Sequence, residues 1–387
     1  MKEGWKKRRF DEIMTPARVE RCGDRTDLPV LSITMRSGIV EQRDRFSKTI
    51  ASVDRSNYKI VKDGQLVIAF PIDEGLVYTQ DVAKEGIMSP AYNIWDVDYS
   101  LVNRKFLVTY FHSRFAFDYY KAKLRGSTQR RRSMDKEDLL SMPIPVPSIS
   151  EQKRIVEELD LLNGIIEKQK TQLEELDKLA QSIFYDMFLK DCSWNCIFLK
   201  DATSKMGSGA TPRGGNQSYK DSGISLIRSM NVHNNLFVYD DLAFIDDEQA
   251  RQLDNVTIEK GDVLLNITGA SVARCCIVPD DILPARVNQH VSILRVREGV
   301  NNLFLCYYFT NKITQNDLIN LSKSNAATRE SLPKNLLEKY KIPIPPLSLQ
   351  QEFSDKVSAI EDMKAKVRQS LKEAEQLFNS RMDYYFN

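Results

Sequence analysis

Residues 144–155 read IPVPSISEQKRI, and residues 342–353 read IPIPPLSLQQEF. Each stretch is a proline-punctuated extended run that opens into a helix start, and the two lie 342 − 144 = 198 positions apart. An internal repeat decides the architecture before any single element does. At the same offset Phe106-Leu107 falls on Phe304-Leu305 and Tyr110-Phe111 on Tyr308-Phe309. Arg131, Ser133, Lys136 and Leu139 fall on Arg329, Ser331, Lys334 and Leu337, and Pro145, Pro147, Ser150 and Gln152 on Pro343, Pro345, Ser348 and Gln350. The far ends agree as Leu173/Leu371, Leu179/Leu377, Ser182/Ser380 and Phe188/Phe386, with no gap. Upstream of Phe106 the match fades, but Trp5 and Trp194 share a start at offset 194 − 5 = 189, and Gly64–Val67 echo Gly261–Leu264 at 197. The second copy has therefore gained 198 − 189 = 9 residues in its variable part. The chain reads as variable (1–133), constant (134–189), variable (190–330), constant (331–387).

The constant blocks predict long helices. Ser148 is a natural N-cap ahead of Glu151 and Gln152, and Ile155, Leu159, Leu162, Ile166, Leu173 and Leu176 then step by four and three, continuing through Ala180, Ile183 and Met187. The second copy offers Phe353, Val357, Ile360, Val367, Leu371 and Phe378, with Lys364 and Arg381 interrupting the stripe. So narrow an apolar seam suits another helix better than a globular core. The expected pairing is of one long helix with the other, antiparallel, about a pseudo-two-fold axis. Gln169, in mid-seam, is either a register-setting polar residue or a solvated one.

The variable blocks mix short strand-like runs (QLVIAF, GLVYT, DVLLNI, HVSILRV) with aromatic-rich helical runs, so each is expected to be an α+β domain with a twisted, mainly antiparallel sheet. Their charge is local. Lys121, Lys123, Arg125, Arg130, Arg131 and Arg132, with Gln129 between, form a segment without an acid; Lys323 and Arg329 hold the corresponding place in the second copy. Basic and hydroxyl residues on a turn beside a helix start suit phosphate contacts, although a solvated charge run reads the same way. The glycine-rich loop 205–219, KMGSGATPRGGNQSY, lacks the Gly-Lys-Ser/Thr ending of a nucleotide site. It carries Arg213, Asn216 and Gln217, and Arg228, Asn231, Arg274, Asn288 and Gln289 sit at predicted strand ends or turns; Arg, Asn and Gln are the side chains that read base edges bidentately.

A net charge of +2 argues against a uniformly basic nucleic-acid coat and permits local patches. No apolar run is long enough to span a membrane and the N-terminus lacks an apolar signal core, so a cytoplasmic protein is expected. The six cysteines match no metal template and read as reduced thiols. There is no glycine-rich cofactor loop with an Asn-Pro-Pro-aromatic motif, no carboxylate cluster for Mg²⁺, and His112, His233 and His290 are scattered. No catalytic site and no cofactor is expected in the chain.

The order of these features, with MPIPVPSISEQKRIVEEL and YKIPIPPLSLQQEF preceded by STQRRRSMDKEDL and SNAATRESLPKNL, resembles the specificity subunits of type I restriction-modification systems over the whole chain. The resemblance implies two target-recognition domains, each reading one half of a bipartite, asymmetric sequence in double-stranded DNA, with the paired helices setting the gap. It also implies two modification (methyltransferase) subunits that supply S-adenosylmethionine and catalysis, and restriction subunits in the full complex. AFPIDEG in the first variable block stands where the second has NITGAS, so that turn's role does not transfer between halves. A coiled-coil scaffold without DNA specificity remains open, as does a stand-alone nuclease or methyltransferase.

Overall fold

The computed structural model describes residues 4–25, 27–35, 37–45, 54–125, 133–190, 193–324 and 330–387. It divides into two compact units, Met1–Lys170 with Gln369–Asn387, and Thr171–Arg368. Two helices of equal length, Ile149–Phe188 and Leu347–Phe386, are each shared between the units.

In the first unit, a four-stranded antiparallel sheet runs in spatial order Met14–Pro16, Asn93–Val97, Leu66–Ile68, Val77–Thr79. In the second, the order is Thr203–Ser208, Val291–Val296, Val263–Asn266, Cys275–Ile277. Both sheets are first-fourth-second-third in chain order. The fold of the variable part is therefore repeated where sequence similarity has faded, because a sheet tolerates any side chains that keep its apolar alternation. Each unit also clamps its first strand to the proline run: Arg8 opposes Ile144, and Ile197 opposes Ile342. Those pairings reproduce both offsets, 197 − 8 = 189 and 342 − 144 = 198. Smaller ribbons complete each unit. Their pairings are antiparallel except that of Ile224–Ile227 with Ala285–Val287.

The repeated helix start has a specific physical role. Gln152 is wholly buried; its Oε1 accepts the Asn103 backbone N–H at 2.6 Å, and its Nε2 donates to the carbonyls of Leu101 at 3.0 Å and Pro147 at 2.9 Å. Gln350 does the same with Asn301 (2.8 Å), Gly299 (3.3 Å) and Pro345 (2.8 Å). Asn103 and Asn301 are in turn the N-caps of the aromatic helices Arg104–Phe111 and Asn302–Thr310. One glutamine thus ties the proline run, the long helix and the aromatic helix into one joint in each unit.

Around that joint lies an apolar core. In the first unit Ile155 and Leu159 pack with Phe106, Tyr110, Met382, Tyr385 and Phe386. In the second, Leu176, Phe184 and Phe188 pack with Phe304, Tyr307, Phe353, Val357 and Ile360. Within each unit, then, the start of one long helix lies against the end of the other, so they run antiparallel. Of the seam residues, Ile155, Leu159, Ile166, Leu176, Val357 and Ile360 are buried, while Leu162, Leu173, Val367, Leu371 and Phe378 are half-buried.

The expected continuation through Ile183 and Met187 holds in part: both are half-buried and pack at the edge of the second unit's core. Beyond Leu176 the fully buried positions step by four, to Ala180, Phe184 and Phe188, and Phe184 and Phe188 meet both Phe353 of the partner helix and Phe304 of Asn302–Thr310. The polar interruptions pair across the helices. Lys364, 6% exposed, donates to Asp177 and Glu361 at 2.6 Å each; Arg381 pairs with Glu158; and the amide of Gln169 donates to Ser370 at 2.6 Å.

Candidate nucleic-acid interface

In the second unit one end of the four-stranded sheet gathers the polar loops. Ser208, Asn266, Cys275 and Val291 mark that end, where the glycine-rich loop, the Asn288–His290 turn and the 267–274 turn meet. The loop can come this close only at Gly209, since a Cβ there would stand 1.9 Å from the Val287 carbonyl oxygen. Four side chains then form a hydrogen-bonded chain. The Thr211 hydroxyl donates to Gln289 Oε1 at 2.5 Å, the Gln289 amide donates to His290 Nε2 at 3.2 Å, and His290 Nδ1–H donates to Thr268 Oγ1 at 2.6 Å. A neutral imidazole protonated on Nδ1 satisfies both ring nitrogens in this direction. The Thr268 turn is bound to residues 330–332, through Gly269 N–H to Glu330 (3.0 Å) and Leu332 N–H to Ile267 (2.8 Å). Lys323 is exposed in the last turn of the helix Lys312–Ser324.

The equivalent sheet end of the first unit is built differently. Pro16, Ile68 and Asn93 mark it, and they line a groove of about 540 Å³ with Phe70, Trp95, Met134, Lys59 and Lys136. Lys59 is half-buried, and burial, then the neighbouring Arg21, pulls its ammonium below the usual lysine range while it donates to the Tyr92 carbonyl. Leu124–Arg125 pairs with Ser133–Met134, and Met134 lines the groove.

The candidate readers divide accordingly. Arg213, Gln217 and Gln289 are exposed, and Gln289 belongs to the side-chain chain just described. Arg274 is half-buried in the turn next to it. Arg125 is exposed and paired with Asp135 at 2.8 Å and Asp138 at 3.6 Å. Exposed pairs of this kind contribute little, so a phosphate can compete for the guanidinium.

Two expectations are withdrawn. Asn231 is fully buried, its amide donating to the carbonyls of Val238 and Asp240 while its oxygen accepts the Arg228 N–H. Asn288 is 4% exposed and its side-chain oxygen caps the His290 N–H. Both shape turns and cannot reach a base. Arg228 is half-buried, donates to the Asp241 carbonyl and lies 5.3 Å from the Tyr219 ring, which gives it a turn-holding role as well. Gln129, Arg130, Arg131, Arg132 and Arg329 lie outside the described residues, as does the side chain of Asn216.

The sequence reading missed Thr211, Thr268 and His290 in the second unit and Lys59, Phe70 and Asn93 in the first. Only the sheet end brings them together, and no spacing rule marks it. Among the described residues no group of three or more His, Cys, Asp and Glu side chains could hold a metal, and no helix is long and apolar enough to cross a membrane. Cys22, Cys196, Cys275, Cys276 and Cys306 are free thiols.

Residues 2–178 and 193–376 match the family described as Type I restriction modification DNA specificity domain. The chain belongs to this family. Among its specificity-subunit relatives, it is 22% identical over 281 residues to one named for MjaX of Methanocaldococcus jannaschii, spanning 67% of this chain and 60% of the relative. It is 20% identical over 272 residues to the type I restriction enzyme MjaVIII specificity subunit of the same organism, spanning 63% of each. The chain thus spans about three fifths of the length of these curated relatives.

Two solved structures share the fold. One comes from work on complex assembly and conformational transition of the type I R-M system (TM-score 0.62, 18% identity, 100% of this chain and 98% of that one). The other is a type I restriction-modification S subunit from M. genitalium (TM-score 0.54, 14% identity, 98% and 95%). A specificity-domain chain built as two unlike copies of one fold frames the reading that follows.

Proposed function

We propose that this chain is the DNA-recognition subunit of a type I restriction-modification complex. In this reading, residues 1–133 and 190–330 each read one half of a bipartite, asymmetric double-stranded target. The paired helices within 134–189 and 331–387 hold the two readers at a fixed spacing, so the base pairs they bridge go unread. The chain binds two modification subunits, which carry S-adenosylmethionine and perform methyl transfer, and restriction subunits join in the full cytoplasmic complex. The chain itself performs no catalysis and binds no cofactor.

The observation that carries this reading is the repeated four-stranded sheet whose same end bears polar loops in one unit and an apolar groove in the other. One fold with two unlike ends is what reading two different half-sites requires. Basic anchors flank both ends: Arg125 and Lys136 in the first unit, Lys323 in the second. They suit phosphate contacts that position the reader without carrying sequence information.

The test is a binding series with the chain and its modification subunits on target and scrambled DNA across rising salt. A reader of bases retains its preference after salt has weakened the phosphate contacts. Loss of all preference as salt rises, with target and scrambled DNA released together, would refute the proposal.

A further inference from the structure

The two sheet ends differ in chemistry, and the difference predicts what each reads. We infer that the first unit recognises A·T base pairs through the thymine methyl and the adenine edge, whereas the second reads its half-site chiefly by hydrogen bonds. This rests on the DNA-reading function proposed above.

Among the described residues thirteen line the groove of the first unit, with two lysines and no carboxylate, arginine or glutamine among them. Its large side chains are apolar: Ile68 and Trp95 form the floor, and Phe70 stands at the rim with 46% of its surface exposed. Phe70 at the rim, with two lysines in the same groove, suits an occupant that is apolar at one edge and carried on an anion. A DNA base edge meets that description, with the phosphates facing Lys59 and Lys136.

Among base edges, adenine is read by the amide of asparagine or glutamine; a lysine can also read guanine, but here both groove lysines are assigned to the phosphates. Thymine is distinguished by its C5-methyl, which needs an apolar contact. The exposed Asn93 at the start of Asn93–Val97 supplies the amide, and Phe70 with Pro16 the apolar wall. Both halves of one A·T pair therefore have a matched partner within one groove. At the equivalent place in the second unit Ile267 is buried, and the surface is given over to Thr211, Gln289, His290 and Thr268. Among the described residues that surface offers donors and acceptors from these four side chains, with the exposed Met230 beside Asn266 as its apolar neighbour.

The experiment uses the full chain with methyltransferase subunits and its mapped target, in which thymines are replaced by uracil in one half at a time. Uracil keeps the pairing and removes only the methyl. Uracil in the first unit's half-site is expected to weaken binding about three- to fivefold per contacted thymine, and uracil in the other half to have a smaller effect. Phe70→Ala should weaken binding to thymine DNA and abolish the thymine–uracil difference; Phe70→Leu should retain part of it. Asn93→Ala should relax base preference in that same half, which identifies it as the first unit's.

Equal binding of uracil and thymine DNA in both halves, or a half-site that answers to Phe70 and Asn93 yet holds only G·C pairs, overturns the inference and leaves the DNA-reading function standing. Absence of any sequence preference overturns both.

Discussion

Gln152 offers the sharpest test of how the repeated helix start works. Replacing it with methionine keeps the length of the side chain and removes three hydrogen bonds, those to Asn103, Leu101 and Pro147. All three partners are backbone groups around a side chain with no exposed surface. A stranded buried group costs ~1–3 kcal/mol; taking the lower figure for each of the three gives ~3 kcal/mol. The cost falls on the joint between the proline run, the long helix and the aromatic helix Arg104–Phe111.

Amide hydrogen exchange is the suitable assay, because the matching helix Asn302–Thr310, held by Gln350, is an internal control in the same sample. About 3 kcal/mol corresponds to roughly a hundredfold loss of protection. The loss should appear in residues 104–111 and spare residues 302–310. Gln152→Glu should do at least as much harm, since a carboxylate would face two carbonyl oxygens. Protection in Gln152→Met within about twofold of wild type would refute the argument that this glutamine holds the joint.

Three further outcomes follow from the helices and the basic segment. Lys364 is a nearly buried cation whose carboxylate partners reach solvent, so Lys364→Met should leave thermal stability nearly unchanged, while Asp177→Ala with Glu361→Ala should cost ~1–2 kcal/mol. The Arg381 guanidinium first, with the Tyr385 hydroxyl assisting against desolvation, holds the Glu158 carboxyl below its ordinary range. A depressed carboxylate adds stability that is fully present above its unfolded value, about 4.3, and is lost as pH falls through the folded one. Glu158→Gln should therefore be less stable near neutrality and show a flatter acid limb in pH-dependent unfolding. Neutralising Arg130, Arg131 and Arg132 together should weaken binding to target and scrambled DNA alike, and lower the salt slope by about 0.9 for each phosphate left without its cation.

The constant parts were legible because both signals in them are local. A proline run, a capping serine and an apolar step of three and four each depend on neighbours within a turn or two, so the helix starts fell where expected. The end of the first long helix was less legible: Ile183 and Phe184 are both apolar, and only the position of Phe304 and Phe353 decides which one faces inward.

In the variable parts the sheet survived where the repeat could no longer be read. Alternating burial constrains the class of side chain and leaves its identity free, so Leu66 and Val263 occupy one place in the fold with little else in common. The candidate readers were least legible. Asn231 and Gln289 look alike as residue types, yet one is sealed in a turn and the other stands at the sheet end beside Thr211. Phe70 carried no signal at all, since exposure of an aromatic side chain is a property of the fold.

The central claim is that one chain carries two unlike readers of DNA. Mapping the sequence bound or methylated by the chain with its modification subunits tests it most directly. The account predicts an interrupted motif with two different halves; a continuous motif, or one whose halves are identical, would contradict it.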